Sequence, residues 1–363
     1  MAVFFVLICI VGIIALAYWI IPANPFPKPS GEWQVGTSDL IWDSSIHTGI
    51  IAKVWYPTNV TNGIQSPYID NRTLSGITAQ LNPLFRLLFN KFYIGRIITP
   101  TFSNVTPAQH QGGFPVILLS PGSGGMNFLN TFYALEFTSY GFIVVGINHP
   151  GSSGGALLTD GTQINFNTVD NKIFEDVDMF APFISQLIVE QSSNISMVLD
   201  RVIDLNYSPE SFLNHKIDPS KIYAAGHSLG GAASFMACGK DKRISKGVNL
   251  DGAFYDASDT NYTGKRLLLI HADRDRYRPK NKTAQTQFDT ILSGDKLQIQ
   301  NLSDKADLQM LVFDRSNHVN FTDIPIIIQP RLAKAMGLIG EIDGLELLLE
   351  TSRVIIKFFN KQP

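Results

Sequence analysis

Residues 221–235 read KIYAAGHSLGGAASF. The apolar run Ile222–Ala225 predicts a buried strand, Leu229–Cys238 a helix of small residues, and between them Gly226-His227-Ser228-Leu229-Gly230 matches G-x-S-x-G. In a nucleophile elbow the serine occupies a strained strand-to-helix turn, so positions 226 and 230 must be small. The turn presents the Ser228 hydroxyl at a helix start, where the helix dipole favours developing negative charge. The pentapeptide occurs twice. Gly151-Ser152-Ser153-Gly154-Gly155 also follows an apolar run, but ALLTDGTQ comes behind it and no amphipathic helix. Ser228 is therefore the expected nucleophile, and Ser153 is expected in a flexible loop.

Outward from the elbow, short apolar runs alternate with longer helical ones. Strands are predicted at Ile50–Tyr56, Val116–Ser120, Phe142–Asn148, Ile222–Ala225, Gly247–Leu250, Leu267–His271 and Gln309–Phe313. Helical patterns lie near Phe128–Ser139, Lys172–Leu205, Leu229–Cys238, Thr283–Leu292 and Leu345–Phe359. That alternation predicts an α/β fold, a mostly parallel sheet with helices on both faces. Function in such sheets gathers on loops at the carboxyl ends of the strands.

A serine hydroxyl needs a base within hydrogen-bond reach, normally histidine. His318, in LQMLVFDRSNHVNFTD, falls after the last predicted strand. His47, His110 and His215 sit in polar segments, and His271 lies inside a strand pattern. His149 precedes the second glycine loop and His227 is the variable position of the elbow. A tetrahedral intermediate needs two donors. The backbone N–H of Leu229 is the first. The second is assigned to the N–H of Ser123, in the glycine loop SPGSGG after Val116–Ser120. The acid is open between two strand ends. Asp251 follows Gly247–Leu250, whereas Asp273 and Asp275 follow Leu267–His271 and are interleaved with Arg274, Arg276 and Arg278. Those arginines are expected to satisfy Asp273 and Asp275 as surface ion pairs, leaving Asp251 to need His318 as partner.

These residues together resemble the plasma and type II platelet-activating-factor acetylhydrolases, also called lipoprotein-associated phospholipases, from about Gly36 to the C-terminus. GTSDLIWDSSIHTGIIAKVWYPT looks like that family's opening strands, and SPGSGG with SYGFIVVGINHPGSSG resembles its oxyanion loop and next strand. GHSLGG, NLDGAFYD, HVNFTD and GEID keep the family's order. The resemblance implies an α/β-hydrolase fold with Ser228 as nucleophile, His318 as base and Asp251 as acid, whereas general hydrolase-fold enzymes would place the acid at Asp275. It also implies a serine esterase acting on the short or oxidised sn-2 acyl group of a phospholipid, with no cofactor. Pro121 stands where relatives commonly carry histidine, and Ser123 is smaller than the apolar residue expected there.

Composition narrows the alternatives. With 363 residues, 45% apolar and a net charge of −2, the chain has a substantial core and no electrostatic footprint for nucleic acid. No metal constellation is visible, and with Cys9 and Cys238 as the two cysteines no internal disulfide is expected. MAVFFVLICIVGIIALAYWII (residues 1–21) carries no charge and is long enough for a signal-anchor; Ala15-Leu16-Ala17 keeps a cleaved signal peptide open. Pro22, Pro25, Pro27 and Pro29 read as a stiff spacer over residues 22–35, before a catalytic domain at 36–363. Either N-terminal reading places the body outside the cytoplasm. Sequons at Asn59, Asn71, Asn104, Asn194, Asn206, Asn261, Asn281, Asn301 and Asn320 agree with export, with Asn320 expected to stay bare. Segments 79–99 and 324–340 mix apolar residues with cations, as interfacial helices do, although both suit packing on the sheet as well. A membrane or lipoprotein surface is the partner they suggest. A general carboxylesterase and a non-catalytic hydrolase-fold binding protein are the other readings.

Overall fold

Ile117 and Leu119 belong to one hydrophobic core and Val116 and Leu118 to a second, on the opposite face of the same strand. A strand covered on both faces reads as a near-continuous apolar run, which is why the central strands stand out in the sequence. The computed structural model describes residues 12, 26–44, 47–78, 83, 87, 93–158, 162–165, 176–254, 260–278 and 280–361. The N-terminal apolar segment thus lies outside the described residues, apart from Gly12, and so does most of 79–92. Among the described residues no helix is long and apolar enough to cross a membrane.

The strands are β1 (Gln34–Ser44), β2 (His47–Thr58), β3 (Gln65–Pro67), β4 (Ile98–Ser103), β5 (Phe114–Ser120), β6 (Ile143–Asn148), β7 (Gly155–Leu157), β8 (Gln163–Asn165), β9 (Ile217–His227), β10 (Ile244–Leu250), β11 (Arg266–Ala272) and β12 (Asp307–Phe313). A 10-stranded sheet has the order β12-β11-β10-β9-β5-β6-β2-β1-β4-β3, and β7 pairs with β8 alone. From β12 to β6 every neighbouring pair is parallel; β2 then joins β6 and β1 antiparallel. Register brings the strand ends level: Ser120 faces Gly226, His227 faces Leu250, and Ala272 faces Phe313. The loops beyond those ends therefore share one edge.

The helices are α1 (Asn71–Ile77), α2 (Thr131–Ser139), α3 (Val177–Tyr207), α4 (Leu229–Lys240), α5 (Lys282–Ser303), α6 (Ile324–Ile327), α7 (Pro330–Ala335) and α8 (Gly344–Asn360). Helices α2 and α8 bury Phe132, Phe137, Leu347 and Phe359 on one face; α3 and α4 bury Val198, Val202, Phe235 and Met236 on the other. Helix α5 continues past Gly294 to Ser303, longer than the predicted Thr283–Leu292. A glycine in a helix costs only about 1 kcal/mol against alanine, which packing of Ile299 and Leu302 offsets.

The stretch expected as a stiff spacer over residues 22–35 packs against the fold from Phe26 onward. Phe26 is buried and stacks on Tyr68 at 5.5 Å, while the Ser30 amide and hydroxyl bind Glu136 at 3.1 and 2.7 Å. An aromatic among prolines finds a ring to pack on. Segment 324–340, for its part, covers the sheet: Ile327 is in the core, and Ile324, Ile326 and Ile328 pack against it.

Candidate active site

Strand β9 enters the elbow directly. Ser228 has φ 55° and ψ −127°, a strained backbone for a residue with a side chain. The turn is enforced by close packing. A Cβ at Gly226 would collide with the Gly230 carbonyl, one at Gly230 with the Ser120 and Pro121 carbonyls, and one at Gly252 with the Ser228 carbonyl. The Ser228 N–H donates to the Leu250 carbonyl at 2.8 Å, tying the elbow to the end of β10.

At that strand end lies Asp251, also at positive φ (56°). Its Oδ2 is 2.7 Å from His318 Nδ1, across 67 residues of chain. Its Oδ1 accepts from the Ala272 N–H at 3.1 Å and from Arg274 Nε at 2.8 Å. Burial opposes ionisation of this carboxyl, but the His318 hydrogen bond and the Arg274 guanidinium outweigh it and hold the group well below the usual carboxylate range. An ionised Asp251 can only accept, so Nδ1 of His318 is the donor, and in the neutral imidazole Nε2 is then the acceptor. The Asp251 side chain is 3% exposed and that of His318 42%: the acid is sealed in while the imidazole faces the open edge. Among the described residues Ser228 Oγ has no hydrogen-bond partner; such bonds often tighten only once substrate is bound.

Asp275 is exposed, and Asp273 accepts the backbone amides of Arg315 and Arg276 at 2.9 and 3.3 Å. The arginines do not pair with these aspartates as the sequence suggested. Arg276 reaches Glu341, Arg278 reaches Asp289, and Arg274 turns inward to Asp251 and, at 2.5 Å, to Asp295. The Arg274 N–H bonds the Ala272 carbonyl at 2.9 Å, a tight turn that sends its side chain back over the strand ends.

The glycine loop after β5 lies against the elbow: a Cβ on Gly122 would come within 3.0 Å of Ser228 Cβ. Among the described residues neither the Ser123 N–H nor the Leu229 N–H donates to another protein group, so both remain available. The loop is braced by the second glycine-serine segment. Gly124 N–H donates to the Ser152 carbonyl at 2.8 Å and Gly154 N–H to the Gly125 carbonyl at 3.1 Å. Ser153 lies in a loop, as expected, but its side chain is held inward. It is buried, and its Oγ accepts the His149 N–H at 2.8 Å. His149 is buried too, with Nε2 2.5 Å from Ser120 Oγ, and burial pushes its pKa down to about 3.

Three further residues have roles that their sequence positions did not reveal. His227, inside the elbow motif, places Nε2 3.0 Å from the His318 carbonyl and its ring 4.5 Å from the His318 ring. Burial and the neighbouring His318 lower its pKa to about 3, so it is neutral and its Nε2–H is the donor. Asn320 Oδ1 accepts the amides of Asn317 and Gly340 at 2.8 and 2.6 Å, which joins HVNFTD to GEID. Asp323 accepts the Thr131 and Phe132 amides at 2.9 and 3.1 Å and the Tyr68 hydroxyl at 3.0 Å. The histidine loop is thereby strapped to the start of α2, the helix that comes after the glycine loop. Only the motif spacing Asn320-Phe321-x-Asp323 hinted at this.

A serine on a strained strand-to-helix elbow, an Asp–His pair from the loops after β10 and β12 at one edge of the sheet, and a mostly parallel sheet define the α/β-hydrolase class. The profile of the platelet-activating factor acetylhydrolase, isoform II, family matches residues 20–173 and 185–363, so the chain belongs to that family. It is 25% identical over 357 residues to the platelet-activating factor acetylhydrolase of Canis lupus familiaris, covering 92% of this chain and 76% of the relative. It is 26% identical over 217 residues to a probable 1-alkyl-2-acetylglycerophosphocholine esterase of Arthroderma benhamiae, covering 60% of this chain and 50% of the relative. A ferulic acid esterase from Streptomyces cinnamoneus shares the fold, with a TM-score of 0.65 at 19% identity over 93% of this chain and 92% of that one.

Proposed function

We propose that this protein is a serine esterase that hydrolyses the short or oxidised sn-2 acyl ester of phospholipids through an acyl-enzyme. The observation that carries the reading is the 2.7 Å Asp251–His318 pair at the strand edge that also bears the strained Ser228 elbow. His318 Nε2 takes the Ser228 proton as Oγ bonds to the ester carbonyl carbon. The Ser123 and Leu229 amides receive the oxyanion, and the imidazolium then protonates the departing lysophospholipid oxygen. Water, deprotonated by the same nitrogen, releases the carboxylic acid and restores Ser228. Asp251 orients the imidazole and offsets its transient charge. None of these steps draws on a metal or cofactor. Family membership and the names of the relatives favour the phospholipid ester over a general carboxylesterase substrate.

The uncharged N-terminal run and the exposed sequon residues Asn59, Asn71, Asn104, Asn261, Asn281 and Asn301 support an exported protein working at a membrane or lipoprotein surface. Asn206 and Asn320 are buried, which argues against glycans there.

The test compares kcat/KM on phospholipids with acetyl and palmitoyl groups at sn-2 and on a soluble acetyl ester, using the full chain in mixed micelles. Preference for the sn-2 acetyl phospholipid is expected; activity on the soluble ester alone overturns the phospholipid assignment.

A further inference from the structure

Arg274, half-buried, and Asp295, buried, are charges that the acyl-enzyme steps leave unused. Arg274 spans two carboxylates, with Nε at 2.8 Å from Asp251 Oδ1 and Nη1 at 2.5 Å from Asp295 Oδ2. Both carboxylates are 3% exposed and the guanidinium side chain 14%. Asp295 comes from helix α5 and is itself fixed, since its Oδ1 accepts the Phe254 amide at 2.6 Å. Stability alone does not call for such an arrangement. A buried ion cluster must overcome the desolvation of each charge, and apolar residues of the same volume often do as well or better.

The geometry points to a positioning role: Arg274, held from behind by Asp295, fixes the Asp251 carboxylate so that Oδ2 alone is presented to His318. This rests on the proposed Ser228–His318–Asp251 assignment. Two carboxylate oxygens offer several acceptor directions, and the imidazole needs one. With Oδ1 occupied by Arg274 and the Ala272 amide, the plane of the carboxylate is set. Asp295 adds a charge argument. Asp251 with Arg274 alone is a neutral pair, whose field at His318 is weaker than that of the carboxylate by itself. With Asp295 the cluster carries one net negative charge, which an imidazolium at His318 brings to zero. Arg274 thus supplies geometry, and Asp295 restores the charge that Arg274 would cancel. A lysine could not do both, because an ammonium lacks the planar fork that reaches two carboxylates in fixed directions.

The double variant Arg274→Met/Asp295→Asn removes the cation and its compensating charge together, so neither is left buried alone, and Asn keeps an oxygen for the Phe254 amide. It is assayed in the full chain on the sn-2 acetyl phospholipid beside Arg274→Lys and Asp251→Asn, with melting temperature as a fold control. We expect kcat of the double variant to fall about 10- to 100-fold with KM within about twofold, and Arg274→Lys to recover part of the loss. A double variant with wild-type kcat, when Asp251→Asn is nearly inactive, overturns the positioning role and leaves the triad standing. An active Asp251→Asn instead overturns the triad, and the positioning role with it.

Discussion

Gly226–Gly230 and Gly151–Gly155 spell the same five-residue pattern, each comes after a buried strand of the large sheet, and they fold into opposite roles. In the first, the central serine is forced to φ 55° and opens helix α4. In the second, the positive φ values fall on Gly151 and Gly155, and Ser153 is turned inward onto the His149 amide. The residues downstream of each copy make the difference. LGGAASF has the small residues a helix start needs under the glycine loop, whereas Ala156 and Leu157 continue the second copy as β7, which pairs with β8. The second copy serves the first, because its Ser152 carbonyl and Gly154 amide brace the glycine loop that faces Ser228. The same contrast holds for the acids: Asp251 is sealed against His318 and Arg274, and Asp275 stands in solvent.

Substitution separates the two copies most sharply at the serines. Ser228→Ala is expected to lower kcat by about 10⁴- to 10⁶-fold and to abolish labelling by a fluorophosphonate. Ser153→Ala should remain labelled; labelling lost at Ser153 and kept at Ser228 reverses the assignment. Among the carboxylates, Asp251→Asn should cost about 10⁴-fold in kcat, the scale for losing the group that holds a catalytic imidazole in its tautomer, and Asp275→Asn less than about twofold. Equal, small losses in both variants would return the acid to the open question the sequence posed.

Smaller effects probe the brace. Ser153→Ala removes the acceptor of a buried amide and should cost about 1–3 kcal/mol in denaturant unfolding, with a several-fold drop in kcat as the glycine loop loosens. An unchanged unfolding midpoint would show that the Ser153 bond does not hold the brace. His149 gives a pH signature. Its folded pKa is about 3 and its unfolded value about 6.5, so below pH 6.5 the unfolded chain binds the proton and the folded protein does not. The stability is fully present above pH 6.5 and is lost as pH falls toward 3, by up to about 1.4 kcal/mol per unit. His227 adds a parallel loss of the same sign. Melting temperatures between pH 7 and 5 should therefore fall, and fall less steeply in His149→Gln; identical slopes would show that His149 is not held neutral.

Sequence alone determined the seven neighbouring strands of the sheet from β2 to β12, the long helices beside them, the elbow at Ser228 and the position of His318 after the last strand. Those signals are local: apolar periodicity, the steric demand for glycine at 226 and 230, and the placement of a loop after a strand all act within a few residues. Tertiary structure alone decided how the Asp251 carboxylate is held against His318, that Arg274 serves Asp251 and Asp295 rather than its chain neighbours, that Phe26 is part of the core, and that the second glycine-serine segment is a brace. Each of these is a choice of partner by a buried group that has left water. That choice is made among whatever the parallel register brings to one edge of the sheet, across tens to hundreds of residues. Asp323 binding the Thr131 amide, 192 positions away, is the plainest case: nothing near either residue in the chain announces the other.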